Sequence, residues 1–145
     1  MATDTTTDLK LIALDTEDLE VVSTHLQDAV VRVADMGFAR ADRRFALLLN
    51  RFDWTAGRKG LRKRAGLHFE AVKAARFAGF DPHAPEGVLE LLAIRFQAGE
   101  VPAGIVELIF SGGGTVRLEV DYLEARLADL GAAWAAKTRP QHALD

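Results

Sequence analysis

Three side chains near one strongly apolar segment carry the groups that acid–base chemistry needs: Arg51, Asp53 and His68. In an enzyme, the guanidinium would hold an anion, the carboxylate would orient or deprotonate a substrate, and the imidazole would transfer a proton. These roles require the three groups to converge in space. An enzyme that uses them is therefore our alternative interpretation, and it depends on their meeting in the folded chain.

The same residues also have a structural interpretation. In the segment RFALLLNRFDW, Arg51 and Asp53 share one parity and Trp54 has the other. An ion pair between Arg51 and Asp53, with Trp54 at the rim of the core, explains this pattern without any ligand. A hydrogen bond between His68 and Glu70, two residues apart on one strand face, explains the second pair of polar groups. We favour these structural roles because such pairs are common.

The densest positive charge in the chain follows directly, in the run GRKGLRKR. This loop is a candidate contact for a small anionic ligand, with Trp54 as a platform on which a base could stack. Its cationic residues are Arg58, Lys59, Arg62, Lys63 and Arg64. The run lacks the GxxxxGK[ST] spacing of a phosphate-binding loop, and the net charge of -3 argues against nucleic acid as a partner. A solvated hairpin tip is the favoured interpretation.

Several classes of chemistry lack the residues they need. The chain has no cysteine, so it has no thiolate zinc site, iron–sulfur cluster or cysteine nucleophile. No histidine has a second histidine or a carboxylate at a recognisable metal-ligand spacing, and neither Ser23 nor Ser111 lies in GxSxG. The glycines Gly112 to Gly114 join two predicted strands instead of opening a helix. We therefore predict no metal and no cofactor, and we lean towards a protein that is not an enzyme.

Most of the elements that must position these side chains are predicted to be strands. Asp15 precedes Leu19, Val22 and Leu26 at helical spacing, which predicts a capped helix from about Thr16 to Gln27. Alternation and β-branched residues predict the strands. Their ranges are Leu9 to Leu14, Val30 to Met36, Arg43 to Asp53, Val88 to Gln97, Gly104 to Phe110 and Thr115 to Tyr122.

Two segments remain open between helix and strand. Between Gly66 and Phe77 the apolar residues change parity, which predicts a β-bulge near Glu70, although EAVKAARF also fits a helix. Residues 123–130 are either a short helix before Gly131 or a further strand. The ambiguity therefore covers residues 70–78 and 123–130.

These elements predict one α+β domain over residues 9–134, with loosely ordered termini at 1–8 and 135–145. Consecutive strands with short turns predict a mainly antiparallel β-meander, in the form of a curled sheet or a small barrel of the pleckstrin-homology type, with the N-terminal helix covering one opening or face. No apolar run approaches the roughly 18 residues that cross a bilayer, and the N-terminus has no signal-peptide organisation. We expect a cytoplasmic protein without a membrane partner.

The segment from Val88 to Phe96 is apolar on both parities. A strand of this kind is too apolar to lie exposed at a sheet edge. It must be central in the sheet or buried against a second copy of the chain. On this basis we expect a homodimer.

Four segments together resemble a known bacterial family. LKLIALDTEDLEVVSTHLQDAVVRVADM, RRFALLLNRFDW, RAGLHFEAV and VLELLAIRF are similar to the family named domain of unknown function 2948, and the likeness extends from Leu9 to about Trp134. The resemblance implies a single short domain and no assigned reaction, cofactor or catalytic residue. Our leading hypothesis is accordingly a non-catalytic cytoplasmic module that binds or scaffolds a protein or a small anionic ligand.

Overall fold

The computed structural model describes residues 8–53 and 62–130. Within them lie one α-helix, α1 (Thr16–His25), and ten strands. The strands are β1 (Lys10–Ala13), β2 (Val30–Arg32), β3 (Met36–Ala39), β4 (Arg44–Phe52), β5 (Arg62–Phe69), β6 (Val72–Ala78), β7 (Val88–Ala98), β8 (Gly104–Phe110), β9 (Thr115–Val120) and β10 (Ala125–Asp129). The expectations for residues 1–7 and 135–145 lie outside the described residues.

The strands form one antiparallel sheet in the order β1-β10-β5-β4-β2-β7-β8-β9-β6, and β3 pairs with β4. Strand β7 joins the two halves because its first residues pair with β2 and its later residues pair with β8. The sheet curls without closing into a barrel, and α1 packs against β7 and β1. The predicted fold class, a curled and mainly antiparallel sheet with an N-terminal helix, is confirmed.

The helix begins where the sequence predicts. Asp15 is the N-cap, and its Oδ1 accepts a hydrogen bond from the Asp18 backbone N–H at 2.8 Å. Asp18 Oδ2 in turn accepts from the Leu14 N–H at 3.1 Å, which satisfies a second backbone donor at this end. Leu19 and Val22 are buried against the sheet. In the described part of the chain, no helix is long and apolar enough to cross a bilayer.

Strand β7 explains the segment that is apolar on both parities. It lies between β2 and β8: residues 88–90 pair with β2 on one edge, and residues 91–98 pair with β8 on the other. Its register shifts between Leu91 and Ala93, and beyond the shift the Ile94 N–H donates to Ser23 Oγ of α1 at 3.0 Å. The irregularity lets Leu91 and Ile94, three residues apart, both lie in the core. The central position is thus the correct one of the two expected for this strand.

Two local predictions are corrected, and two segments that the sequence left open are assigned. Residues 30–36 do not form one strand, because β2 ends at Arg32 and a 3-10 turn over Val33–Asp35 leads into β3. The open segments 70–78 and 123–130 contain the strands β6 and β10. The change of parity near Glu70 marks a break between β5 and β6, with Ala71 at φ 57°, and the register shift lies between Val72 and Ala74. Local periodicity does not reveal that the chain changes its pairing partner at this point.

The inner face of the curled sheet is the hydrophobic core. On β4, β5 and β10 the side chains that point inward alternate with side chains on the outer face. The inward residues are Phe45, Leu47, Leu49, Ala65, Leu67, Phe69, Ala125 and Leu127, and all are buried. This alternation divides the predicted polar residues between two faces, which decides what each of them can do.

Candidate functional site

On the inner face, Arg51 and Asp129 form a buried ion pair. Arg51 donates Nε to Asp129 Oδ1 at 2.8 Å and Nη2 to Oδ2 at 2.7 Å, and the exposed fractions of the two side chains are 3% and 0%. Asp129 Oδ2 also accepts from the Leu9 backbone N–H at 2.8 Å. The hydrogen bonds with Asp129 raise the pKa of the guanidinium against the lowering effect of burial. The pair therefore fastens β4 to β10 and to the start of β1.

Asp53 and Lys63 lie beside this pair. The Asp53 side chain is buried, and its Oδ2 is 3.6 Å from Lys63 Nζ, which also contacts Asp8 Oδ1 at 3.1 Å. The partner of Arg51 is Asp129 instead of the Asp53 expected from the sequence. These side chains connect strands at one end of the inner face, so their ion pairs have a structural role.

The described part of the basic run does not form one patch. Arg62 lies over the Phe52 ring, with 5.2 Å from its guanidinium carbon to the ring centroid. Lys63 points to the inner cluster, and Arg64 lies 3.6 Å from Asp35. The remaining candidates of this loop, Trp54, Arg58 and Lys59, lie outside the described residues.

His68 lies on the other face of the sheet from Arg51. In register it stands between Ala46 of β4 and Arg126 of β10, and its neighbours along β5 point into the core. Arg51 pairs in register with Lys63, which is five residues and about 16 Å along β5 from His68. Arg51, Asp53 and His68 therefore do not converge.

The partner of His68 is Glu70, as its position on the same face suggests. His68 Nδ1 lies 2.6 Å from Glu70 Oε2, and Arg44 Nε donates to the same oxygen at 2.8 Å. Burial alone would raise the pKa of Glu70, but the hydrogen bonds from Arg44 and His68 lower it below its ordinary value. The ionised carboxylate holds the hydrogen on Nδ1, so the Nε2 atom of a neutral ring is a hydrogen-bond acceptor.

These residues border a polar cleft of about 450 Å³ on the outer face. Its lining residues are Arg44, His68, Glu70, Tyr122, Glu124 and Arg126. Arg126 contacts Glu124 Oε2 through both Nε and Nη2 at 3.0 Å. Tyr122, the last residue of the strand predicted from Thr115, is 45% exposed here because β9 ends at Val120. The cleft thus has two arginine–glutamate pairs around its rim.

A second cleft of about 340 Å³ adjoins the first and is mostly apolar. It shares His68 and Arg126 with the polar cleft. Its floor includes Leu48, Gly66 and Ala128, which lie side by side in register on β4, β5 and β10. Gly66 lacks a side chain and Ala128 has only a methyl group, so a depression remains beside Leu48. The two clefts adjoin at His68 and Arg126, which line both of them.

The sequence pattern singled out His68 and Glu70 but none of the other charged residues of the clefts. Arg44 comes from β4, Arg126 from β10 and Glu124 from the residue before β10, and only the register brings them together. A signal was present in the outward parity of β5, where Gly66 and His68 alternate with buried residues. In the described ranges, no group of three or more metal-binding side chains is arranged to hold an ion.

Fold and site together define a curled antiparallel α+β protein with an apolar and a polar cleft side by side on its outer face. The chain belongs to the family described as Protein of unknown function (DUF2948), whose model matches residues 9–142. This confirms the family resemblance found in the sequence. No curated protein and no solved structure matches the chain significantly.

Proposed function

We propose that this protein is a non-catalytic binding module and that its ligand is a small amphipathic molecule held in the two outer clefts. The observation that carries the proposal is the junction of the apolar and polar clefts at His68 and Arg126. Small-molecule sites are typically concave and largely apolar, with a few polar groups that fix the orientation of the ligand. Both clefts are wide open to solvent, so such a ligand would keep one side exposed.

Binding is favoured over catalysis because the polar groups are held by partners within the chain. Glu70 receives hydrogen bonds from Arg44 and His68, and Glu124 receives them from Arg126. Such fixed groups recognise a ligand at a low entropic cost. Catalysis through Arg51, Asp53 and His68 has no geometric support, because His68 lies on the opposite face. Steady turnover in a phosphatase, esterase and dehydrogenase screen, abolished by H68A, would overturn the non-catalytic proposal.

The binding proposal is tested with four probes that share a branched five- or six-carbon skeleton and differ in charge: leucine, 4-methylvalerate, isoamylamine and isoamyl alcohol. We expect at least one of them to shift the amide NMR resonances of Leu48, Gly66 and Ala128 with a Kd of about 1 mM or below. Gly66→Val should abolish the shifts by filling the apolar cleft.

Gly37→Val is the matched control. Gly37 lies on the neighbouring β3 and does not line the clefts, and an added Cβ there meets no atom within 4 Å. This variant should bind as the wild type does. If none of the four probes shifts the cleft resonances, the proposal is wrong.

Two expectations from the sequence stay predictions. Subcellular fractionation tests the cytoplasmic location. The homodimer no longer follows from β7, which lies between β2 and β8 in the sheet, and light scattering at micromolar concentration decides it. Anion binding through the Arg58–Arg64 loop gains no support, because Arg62, Lys63 and Arg64 contact different neighbours.

A further inference from the structure

We infer that the ligand of the outer clefts is an α-amino acid with an apolar side chain. The inference rests on the proposed binding function and specifies its chemistry. It follows from the hydrogen-bonding atoms around the polar cleft that the described residues leave unused, and from the direction in which the apolar cleft continues.

Two carboxylates offer a place for an ammonium group. Glu70 lies directly after β5 and Glu124 directly before β10, and the Glu70 backbone N–H donates to the Glu124 carbonyl oxygen at 3.0 Å. Each carboxylate accepts its side-chain hydrogen bonds through Oε2, and neither Oε1 has a hydrogen-bond partner among the described residues. Two neighbouring carboxylates repel each other, so a cation that contacts both relieves the repulsion.

Two guanidinium groups offer a place for a carboxylate. Arg44 contacts Glu70 through Nε alone, and within the described ranges its two terminal nitrogens have no hydrogen-bond partner. Arg126 contacts Glu124 through Nε and Nη2 and keeps Nη1 available. The terminal nitrogens of arginine form a planar fork that matches the two oxygens of a carboxylate.

The balance of these charges favours a ligand with both signs. Arg44 and Arg126 contribute two positive charges, and Glu70 and Glu124 contribute two negative charges around one cleft. An anion alone would meet the glutamates, and a cation alone would meet the arginines. A zwitterionic head group complements both pairs at once.

The apolar cleft accounts for the rest of the ligand. It begins at His68 and Arg126, where the polar cleft ends, and continues over Leu48, Gly66 and Ala128. A substituent on the carbon atom that bears the ammonium and carboxylate groups would extend towards it past His68 and Arg126. The volume of about 340 Å³ accommodates an aliphatic or aromatic side chain.

The four probes test this inference by isothermal titration calorimetry. We expect leucine to bind at least about tenfold more tightly than 4-methylvalerate, isoamylamine or isoamyl alcohol. Glu124→Gln and Arg44→Met should each weaken leucine binding about tenfold and leave the affinity for isoamyl alcohol unchanged. Arg76→Gln is the matched control, because Arg76 pairs with Glu119 on the outer face of the other half of the sheet.

The outcomes separate the inference from the proposed function. Equal affinities for all four probes, or tighter binding of 4-methylvalerate than of leucine, overturn the amino-acid inference and leave the binding module standing. Leucine binding that survives both Glu124→Gln and Arg44→Met also overturns it. Failure of all four probes overturns the inference and the proposed function together.

Discussion

Two ionic clusters, around Arg51 and around Glu70, lie on opposite faces of the same three strands and differ in how far they are buried. Arg51 and Asp129 on the inner face are buried, and both oxygens of Asp129 bond within the chain. On the outer face, the exposed fractions of His68 and Glu70 are 34% and 18%, and Glu70 keeps one oxygen without a partner in the described residues. The inner cluster fastens strands, whereas the outer cluster keeps polar atoms that have no partner among the described residues.

This difference in burial determines how much stability is lost when one partner of an ion pair is removed. Two buried charges have lost their hydration, so each depends on its partner for compensation. Charges near solvent keep much of their hydration and lose little when the partner is removed. The faces should therefore respond oppositely to mutation: inner changes reduce stability, and outer changes reduce binding.

The largest expected effect is that of Arg51→Ala. It leaves Asp129 buried without its ion-pair partner and should lower the free energy of unfolding by about 3–5 kcal/mol. Urea denaturation followed by circular dichroism measures this loss. The double variant Arg51→Met with Asp129→Leu should recover most of it, because it removes both buried charges.

Arg126→Ala is the matched outer variant. It removes an arginine that also pairs with a carboxylate, but at a half-exposed position, and should cost less than about 1 kcal/mol. Equal losses for Arg51→Ala and Arg126→Ala would contradict the distinction between the two clusters.

A smaller effect distinguishes glycines on the two faces. A Cβ added at Gly104, on the inner face of β8, would lie 2.6 Å from both the Gln97 carbonyl oxygen and the Phe96 ring. Gly104→Ala should therefore destabilise the protein by about 1–3 kcal/mol.

At Gly66 on the outer face, the nearest atom to an added Cβ is Leu48 Cδ2 at 3.8 Å, an ordinary contact. Gly66→Ala should raise stability by about 0.5 kcal/mol, because alanine loses less chain entropy on folding. Thermal denaturation of both variants measures the contrast. A stabilising Gly104→Ala would show that the inner face is less tightly packed than the structure indicates.

The smallest effect concerns pH. The pKa of Glu70 is lowered from its ordinary value of 4.5, so its ionised form contributes stability above that pH. This contribution is lost as the pH falls through the lowered pKa. Wild type should accordingly lose more stability than Glu70→Gln between about pH 5 and pH 3 in urea titrations. If the free energies of unfolding of the two proteins fall equally with pH, Arg44 and His68 do not stabilise the ionised carboxylate.

The sequence by itself determined the α+β class, the capped start of α1 and most of the strands. These features depend on neighbours in the chain. Asp15 accepts a hydrogen bond from the backbone N–H of Asp18, three residues further on, and buried and less buried residues alternate along β8 and β9 with a period of two. It also determined the family and the pairing of His68 with Glu70, because the two residues share a strand face.

Only the tertiary structure decided which polar groups meet. Arg51 donates hydrogen bonds to Asp129, 78 residues away in the sequence, and Arg44 donates to Glu70, 26 residues away. Register and parity set these contacts, because a shift of one residue would move a side chain to the other face of the sheet. The alternation that marks a strand does not state its pairing partner. For this reason the sequence pattern alone does not predict the break after β5 or the outer clefts, which depend on how the strands pair.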